Sequence, residues 1–216
     1  MAGASQLGIY NKSLRHLEER KLLSLQENRE PLRYLNDEWQ DAVNFCLYQG
    51  YWNFSIRLQE IPADTTQGPN FGFEYSFAKP ADWVRTFQIA DNDHFMPLLR
   101  NYSDQNNVWY ADISPIYVKF ISNDPNFGLN MSLWTPGFVE YLAAYLARLL
   151  VPRIKQAESK IDRLDKVLKQ ARAAAKATDA MDLPPGQIPY GTWVMSRAPR
   201  GSILPYGSPF PGSVDD

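Results

Sequence analysis

The sequence predicts an α+β protein: a helical bundle with a long kinked C-terminal helix, a small antiparallel β-sheet or barrel insertion, and an extended C-terminal arm. Three observations predict this class. Apolar residues recur every three or four positions on both sides of the middle of the chain, they alternate every second position within it, and proline and glycine dominate the last part. The expected segments are 1–50 for the first helices, 51–134 for the β-rich domain, 135–181 for the long helices and 182–216 for the arm.

Two helices are expected in the first segment. A shorter one, suggested by the apolar residues of 7–17, turns near residues 22–25. In the second, apolar residues three or four positions apart share one helix face. These residues are Leu32, Leu35, Trp39, Val43, Cys46 and Leu47. Pro31 suits the first helical position and Gly50 suits the end, so the helix is expected at about residues 30–49.

After Gly50 the apolar period changes to two, which predicts β-strands. Apolar side chains alternate with polar ones from Trp52 to Leu58, and Pro62 ends this first strand. Another alternating run covers residues 73–77, and further strands are expected at 84–89, 108–113 and 116–121, with turns at 91–93 and 103–107. Short strands joined by short polar turns favour an antiparallel sheet or a small barrel.

The chain becomes helical again at Pro136, with Thr135 as the N-cap. The segment to Val151 is apolar on nearly all sides, which indicates a buried helix, and Pro152 should kink or interrupt it. Beyond Pro152 a coiled-coil type of seam follows. It consists of Ile154, Ala157, Ile161, Leu164, Leu168, Ala171 and Ala175. Since residues 153–180 would form a helix roughly 42 Å long, we expect this helix to pack on a neighbouring subunit.

The polar faces of this last helix carry more basic than acidic side chains. Five of the basic residues are candidates for an interface with a neighbouring subunit or another protein: Arg153, Lys160, Arg163, Lys166 and Lys169. The alternative is a helix face that is simply solvated.

The arm combines many prolines and glycines with apolar residues that a freely solvated tail would not need. Its candidate interface residues are Tyr190, Trp193, Met195, Arg197, Tyr206 and Phe210. An extended arm that docks on another subunit fits this mixture, with Trp193 as the main anchor. The alternative is a tail that folds back on its own subunit.

The composition limits the possible classes of protein. The chain has 216 residues, 44% of them hydrophobic and 21% charged, and 22 basic against 24 acidic residues give a net charge of -2. This is the composition of a globular protein whose basic surface, if it has one, is local. The one cysteine, Cys46, excludes an internal disulfide and a zinc site made of several thiolates. We expect neither a secretory signal at residues 1–10 nor a membrane span, because the most apolar stretch, 138–151, is too short.

The residues needed for catalysis are scarce. His16 and His94 are the only histidines, and no glycine-rich phosphate loop is present. The cluster of Asp91, Asp93 and His94 fits a turn better than a metal site. We therefore expect no enzyme, no catalytic or metal-binding residue and no cofactor.

One family resemblance emerges from the order of these features. Residues 22–54 read LLSLQENREPLRYLNDEWQDAVNFCLYQGYWNF: a short helix, the pair Ser24 and Leu25, a helix with an apolar face, and Trp52, Asn53 and Phe54 where a strand begins. Residues 78–85 then read AKPADWVR, followed by a small sheet and late helices. This order, over most of residues 7–180, resembles the tail tubular protein A family of bacteriophage head-to-tail connector adaptors.

The resemblance implies a virion structural protein, made in the host cytoplasm and located at the head-tail interface. Its partners would be the portal protein, copies of itself in a dodecameric ring, a distal tail or nozzle protein, and viral DNA passing through the lumen, without a membrane. The resemblance also implies that the C-terminal region contacts the portal. The alternative function is a DNA-binding or regulatory helical module that uses the basic face of the long helix on nucleic acid.

Overall fold

A computed structural model of the chain describes residues 4–65, 72–154 and 158–182. Within these residues it has four α-helices, six strands and two short 3-10 turns. The helices are α1 (Gln6–His16), α2 (Glu30–Tyr48), α3 (Pro136–Ile154) and α4 (Glu158–Met181). The strands are β1 (Ile56–Ile61), β2 (Tyr75–Ala78), β3 (Trp83–Ala90), β4 (Tyr102–Gln105), β5 (Val108–Ala111) and β6 (Ile116–Ser122). The predicted α+β class is confirmed.

The helix starts follow local capping chemistry. Ser5 Oγ accepts a hydrogen bond from the Gly8 backbone N–H at 3.2 Å and caps α1. Pro31 lies in the first turn of α2, as its sequence predicts. Thr135 Oγ1 accepts a hydrogen bond from the Phe138 N–H at 3.3 Å at the start of α3. The predicted α2 and the predicted start of α3 are therefore confirmed.

α3 and α4 fold back on each other, which corrects the expectation of one long kinked helix. A Cβ atom added to Gly137, at the start of α3, would lie 3.0 Å from Ala175 Cα, near the end of α4. Further along the pair, Arg148 Nε donates to Asp165 Oδ1 at 2.5 Å. The two helices are thus antiparallel, and Pro152 lies inside the last turns of α3.

The apolar seam of α4 packs within the chain. Leu164 and Ala175 are buried in the helical core, and Ile161, Leu168 and Ala171 pack against it. The physical reason is that the largely apolar α3 offers α4 a partner in the same subunit, so the hairpin buries both helices. Ala157 of the predicted seam lies outside the described residues.

The six strands form two antiparallel three-stranded sheets, with the orders β1-β6-β3 and β2-β5-β4. In the described residues they do not close into a barrel, so of the two predicted alternatives the sheet is the one observed. Val118 and Phe120 of β6 belong to a core shared with Phe77 and Trp109 of the second sheet. Ile121, the next residue of β6, belongs to the helical core. The first sheet therefore contributes to both cores.

The predicted bounds of one strand and one turn differ from those observed. Residues 53–55 form a 3-10 turn, and β1 begins only at Ile56. Trp52 explains this start, because it is buried in the helical core and its Nε1 donates to Cys46 O at 2.9 Å. Residues 103–107 contain the end of β4 as well as the predicted turn, which has positive φ angles at Asn106 and Asn107.

Candidate interaction surface

Two of the five basic candidates, both in α4, form ion pairs with one acidic residue of the same chain. Lys160 Nζ lies 2.9 Å from Glu18 Oε2, and Arg163 Nη1 lies 3.0 Å from Glu18 Oε1. Glu18 follows the C-terminal end of α1, so these ion pairs join α1 to α4. The two hydrogen bonds hold the pKa of the Glu18 carboxyl below its ordinary value.

Arg153 is also engaged within the chain. Its Nη2 lies 3.1 Å from Glu38 Oε1, and its guanidinium carbon lies 4.9 Å from the centre of the Tyr34 ring. Both partners belong to α2, so the contact fastens the end of α3 to α2. Arg153 therefore has an internal role in addition to its predicted role at an interface.

Lys166 and Lys169 differ from the other three candidates. Both are exposed, and neither has an ion pair within the part of the chain that the structure describes. They lie on the side of α4 that faces away from Leu164 and Ala175, the buried residues of this helix. They are the part of the predicted basic face that is available to a partner.

The arm candidates cannot be compared with the fold in the same way. Tyr190, Trp193, Met195, Arg197, Tyr206 and Phe210 all lie outside the described residues. Their predicted roles at an interface stay predictions.

A cleft that the sequence did not indicate lies where the end of α2, strand β3 and the end of α4 meet. Its volume is about 370 Å³. Its walls, which define what we call the cleft, are Gln49, Gly50, Tyr51, Trp52, Asn53, Ile56, Arg85, Phe87, Lys176, Asp179 and Ala180. Since these residues come from three distant parts of the sequence, only the fold brings them together.

Aromatic rings and an arginine form one side of the cleft. The rings of Tyr51 and Phe87 stack with centroids 4.6 Å apart. The guanidinium carbon of Arg85 lies 4.4 Å from the Tyr51 ring centre and 5.5 Å from that of Tyr48. Arg85 Nη1 also donates a hydrogen bond to Tyr48 O at 3.2 Å. These contacts fix the position of the Arg85 charge at the cleft.

The carboxylate of Asp179, in the wall of the cleft, accepts hydrogen bonds from the backbone. Both Asp179 oxygens accept from the Asn53 N–H at 3.2 Å, and Asn53 Nδ2 donates to Asp179 O at 2.7 Å. Burial raises the pKa of the Asp179 carboxyl above its ordinary value. Asp179 thus joins the end of α4 to the turn before β1 and is not an ion-pair partner for the cations nearby.

Arg85 and Lys176 line the cleft, and Arg172 lies about one turn before Lys176 on α4. Burial, together with the positive charges of Arg172 and Arg85, lowers the pKa of Lys176. Among the described residues, none of these three side chains has a carboxylate within ion-pair distance. Arg172 and Lys176 belong to the basic helix that the sequence indicated, but Arg85 is about 90 residues away, so no local pattern could have linked them.

The few groups capable of catalysis are used for structure or lie apart. Cys46 is buried, and burial raises the pKa of its thiol. His16 Nε2 lies 2.8 Å from Glu140 Oε1. His94 is exposed in the turn that follows β3. Within the residues described, no group of three histidine, cysteine or acidic side chains could hold a metal ion. In the same residues, every helix is too short or too polar to cross a membrane.

A comparison of the chain with models of known protein families finds no match, and a comparison with curated proteins finds no similar sequence.

Proposed function

We propose that this chain is a bacteriophage head-to-tail adaptor, a structural protein of the virion without enzymatic activity. It docks as a ring, a dodecamer on the portal, connects the portal to a distal tail or nozzle protein, and forms part of the DNA ejection channel. The observation that carries the proposal is the order of the elements: two helices, a β-rich insertion and two further helices. This is the order on which the resemblance to the tail tubular protein A family rests.

The residues that carry the resemblance join the helices to the sheets. Trp52 is buried among the helices immediately before β1. Asp82 Oδ2 accepts hydrogen bonds from Arg57 Nη1 at 2.8 Å and from Ser122 Oγ at 2.5 Å, so it links β1, β6 and the start of β3. This structural role supports the proposal, because the segments that resemble the adaptor family are the ones that join the helical part of the chain to its β-rich part.

A ring requires two different contact surfaces on each subunit. We assign one of them to the arm at residues 182–216, with Trp193 as its main anchor. We assign the contact with the portal to the outward face of α4, with Lys166 and Lys169. Contacts of about 800 Å² per partner, repeated around a ring, give a stable assembly even where each contact is weak.

We expect the α4 face to meet an acidic surface of the portal, since a channel that must release DNA quickly benefits from weak contacts with it. The test reverses the charges of Lys166 and Lys169 to glutamate and measures binding to the portal protein from the same genome. We expect binding to be lost. Arg20→Glu with Lys21→Glu is the matched control, because both residues are exposed and the change in net charge is the same. Normal docking of the α4 variant, or equal loss in the control, would contradict the assignment.

The alternative, a DNA-binding module that uses the basic helix, has a smaller charged surface than the sequence suggested. Arg153, Lys160 and Arg163 form ion pairs with Glu38 and Glu18. Such a module would bind duplex DNA as the free subunit, with an affinity that falls steeply as salt rises. Duplex binding that depends on Lys166 and Lys169, without any binding to the portal, would favour this alternative over the adaptor.

A further inference from the structure

Arg85, Arg172 and Lys176 have no carboxylate within ion-pair distance among the described residues, whereas several other basic residues do. Lys160 and Arg163 meet Glu18, and Arg153 meets Glu38. Arg85 and Lys176 both line the cleft, Arg172 lies about one turn before Lys176 on α4, and burial together with the charges of the two arginines lowers the pKa of Lys176. Like charges held together in a fold are unfavourable unless an anion offsets them. The cleft therefore offers a site for an anionic group from outside the subunit.

Exposed tyrosine rings lie beside Arg85. Tyr48 is 52% exposed and Tyr51 is 40% exposed. The Arg85 guanidinium lies against the rings of Tyr48 and Tyr51, and Phe87 stacks on Tyr51. Cations that contact phosphates next to aromatic rings that stack on bases are the features by which proteins bind single-stranded nucleic acid.

We propose that the cleft binds single-stranded nucleic acid, with a backbone phosphate among Arg85, Arg172 and Lys176 and a base stacked on the exposed ring of Tyr51. An acidic peptide could contact the three cations, but its carboxylates would leave the tyrosine rings unused. A duplex keeps its bases stacked inside the helix and could likewise use only the cations. The combination of both features at one cleft thus favours an unpaired strand.

This inference does not rest on the adaptor proposal. It concerns the cleft and not the outward face of α4, and it predicts binding by the free subunit. Failure to bind a portal leaves it intact, and failure to bind nucleic acid leaves the adaptor proposal intact.

The test is a fluorescence-anisotropy titration of the full chain with a labelled oligothymidylate of about 12 nucleotides, within the usual site sizes of single-strand binding folds. Duplex DNA of the same length and poly-glutamate are the competing ligands. We expect the single strand to bind at least about 5-fold more tightly than the duplex, and poly-glutamate to compete weakly. Equal affinity for the single strand and the duplex, preference for poly-glutamate, or absence of binding to the single strand would overturn the proposal.

Two matched pairs of variants test the residues. Tyr51→Phe keeps a ring for stacking, whereas Tyr51→Leu removes it, so only the leucine variant should lose about 5-fold or more in affinity. Lys176→Gln should weaken binding and reduce the slope of affinity against salt by about one, whereas Lys21→Gln, at an exposed position outside the cleft, should leave both unchanged. Circular dichroism verifies that each variant is folded. Equal effects of the two lysine variants, or full binding by folded Tyr51→Leu, would overturn the assignment of the cleft.

Discussion

Lys79 is a charged residue enclosed by aromatic rings in the β-rich part. Its side chain is 2% exposed, and its Nζ lies 3.6 Å from the ring centre of Trp83 and 2.5 Å from Asp104 Oδ1. Asp104 Oδ2 also accepts hydrogen bonds from Thr86 Oγ1 and Trp109 Nε1. The ammonium group thus connects the start of β3 to β4 and β5, and it is satisfied by both a cation-π contact and an ion pair.

We expect Lys79→Ala to lower the free energy of unfolding by about 2 kcal/mol, because it removes both contacts and leaves a gap between two tryptophans. Urea unfolding measures the loss. Lys119→Ala is the control, since Lys119 Nζ lies 4.1 Å from the Phe95 ring centre but has no carboxylate partner among the described residues. Its loss should stay below about 1 kcal/mol. Equal losses would contradict the role of Asp104.

Glu18 provides a prediction for the dependence of stability on pH. Its pKa is lowered in the folded chain by hydrogen bonds from Lys160 and Arg163, from an ordinary value of 4.5. The stabilisation is therefore present above that value and is lost as the pH falls through the lowered folded pKa. The melting temperature of Glu18→Gln should be slightly below that of the unchanged chain at pH 7, and the difference should vanish in acid and shrink in high salt. A difference that grows in acid would contradict the ion pairs.

Among the elements, the α3-α4 hairpin depends on a close approach between Gly137 and Ala175. Any side chain at position 137 meets the α4 backbone, since even a Cβ atom would lie 3.0 Å from Ala175 Cα. The end of α4 is also tied to the turn before β1 through Asp179 and Asn53. The hairpin therefore sets the position of the last turns of α4, which include Lys176 at the cleft.

We expect Gly137→Val to destabilise the chain by about 1–3 kcal/mol, because its branched side chain pushes α4 away from α3. Thermal unfolding measures this loss. Ala174→Val places the same side chain at an exposed position of α4 and should cost only the helix propensity of valine, about 0.5 kcal/mol. Similar losses for the two variants would contradict the view that the close approach of Gly137 to Ala175 limits the size of the side chain at position 137.

The elements that could be predicted from the sequence are those whose end signals and apolar pattern both indicate the same helix or strand. α2 has Pro31 at its start and a continuous apolar face, and β6 alternates between core and partly exposed residues. The polar edge strand β4 gives no such pattern, with three of its four residues exposed. The start of β1 was missed because Trp52 packs among the helices. The hairpin was missed because a seam on α4 does not specify whether its partner is in the same subunit.

For the whole molecule, the interaction surface expected from the sequence is larger than the one that the fold leaves unpaired. The sequence indicated the basic residues of α4, and Lys166 and Lys169 are indeed exposed. It could not indicate that Glu18, which follows α1, pairs with Lys160 and Arg163, or that Glu38 of α2 pairs with Arg153 at the end of α3. The cleft was missed for the same reason, because Tyr51, Arg85 and Lys176 become neighbours only when α2, β3 and α4 meet.

The measurement that tests the adaptor proposal most directly is the mass distribution of the purified chain, alone and after mixing with the portal protein from the same genome. Negative-stain images of any complex accompany it. We expect a shift to a large complex in which a ring of this protein caps the portal, whether or not the free chain assembles by itself. An unchanged mass distribution, with the portal particles bare in the images, would contradict the proposal.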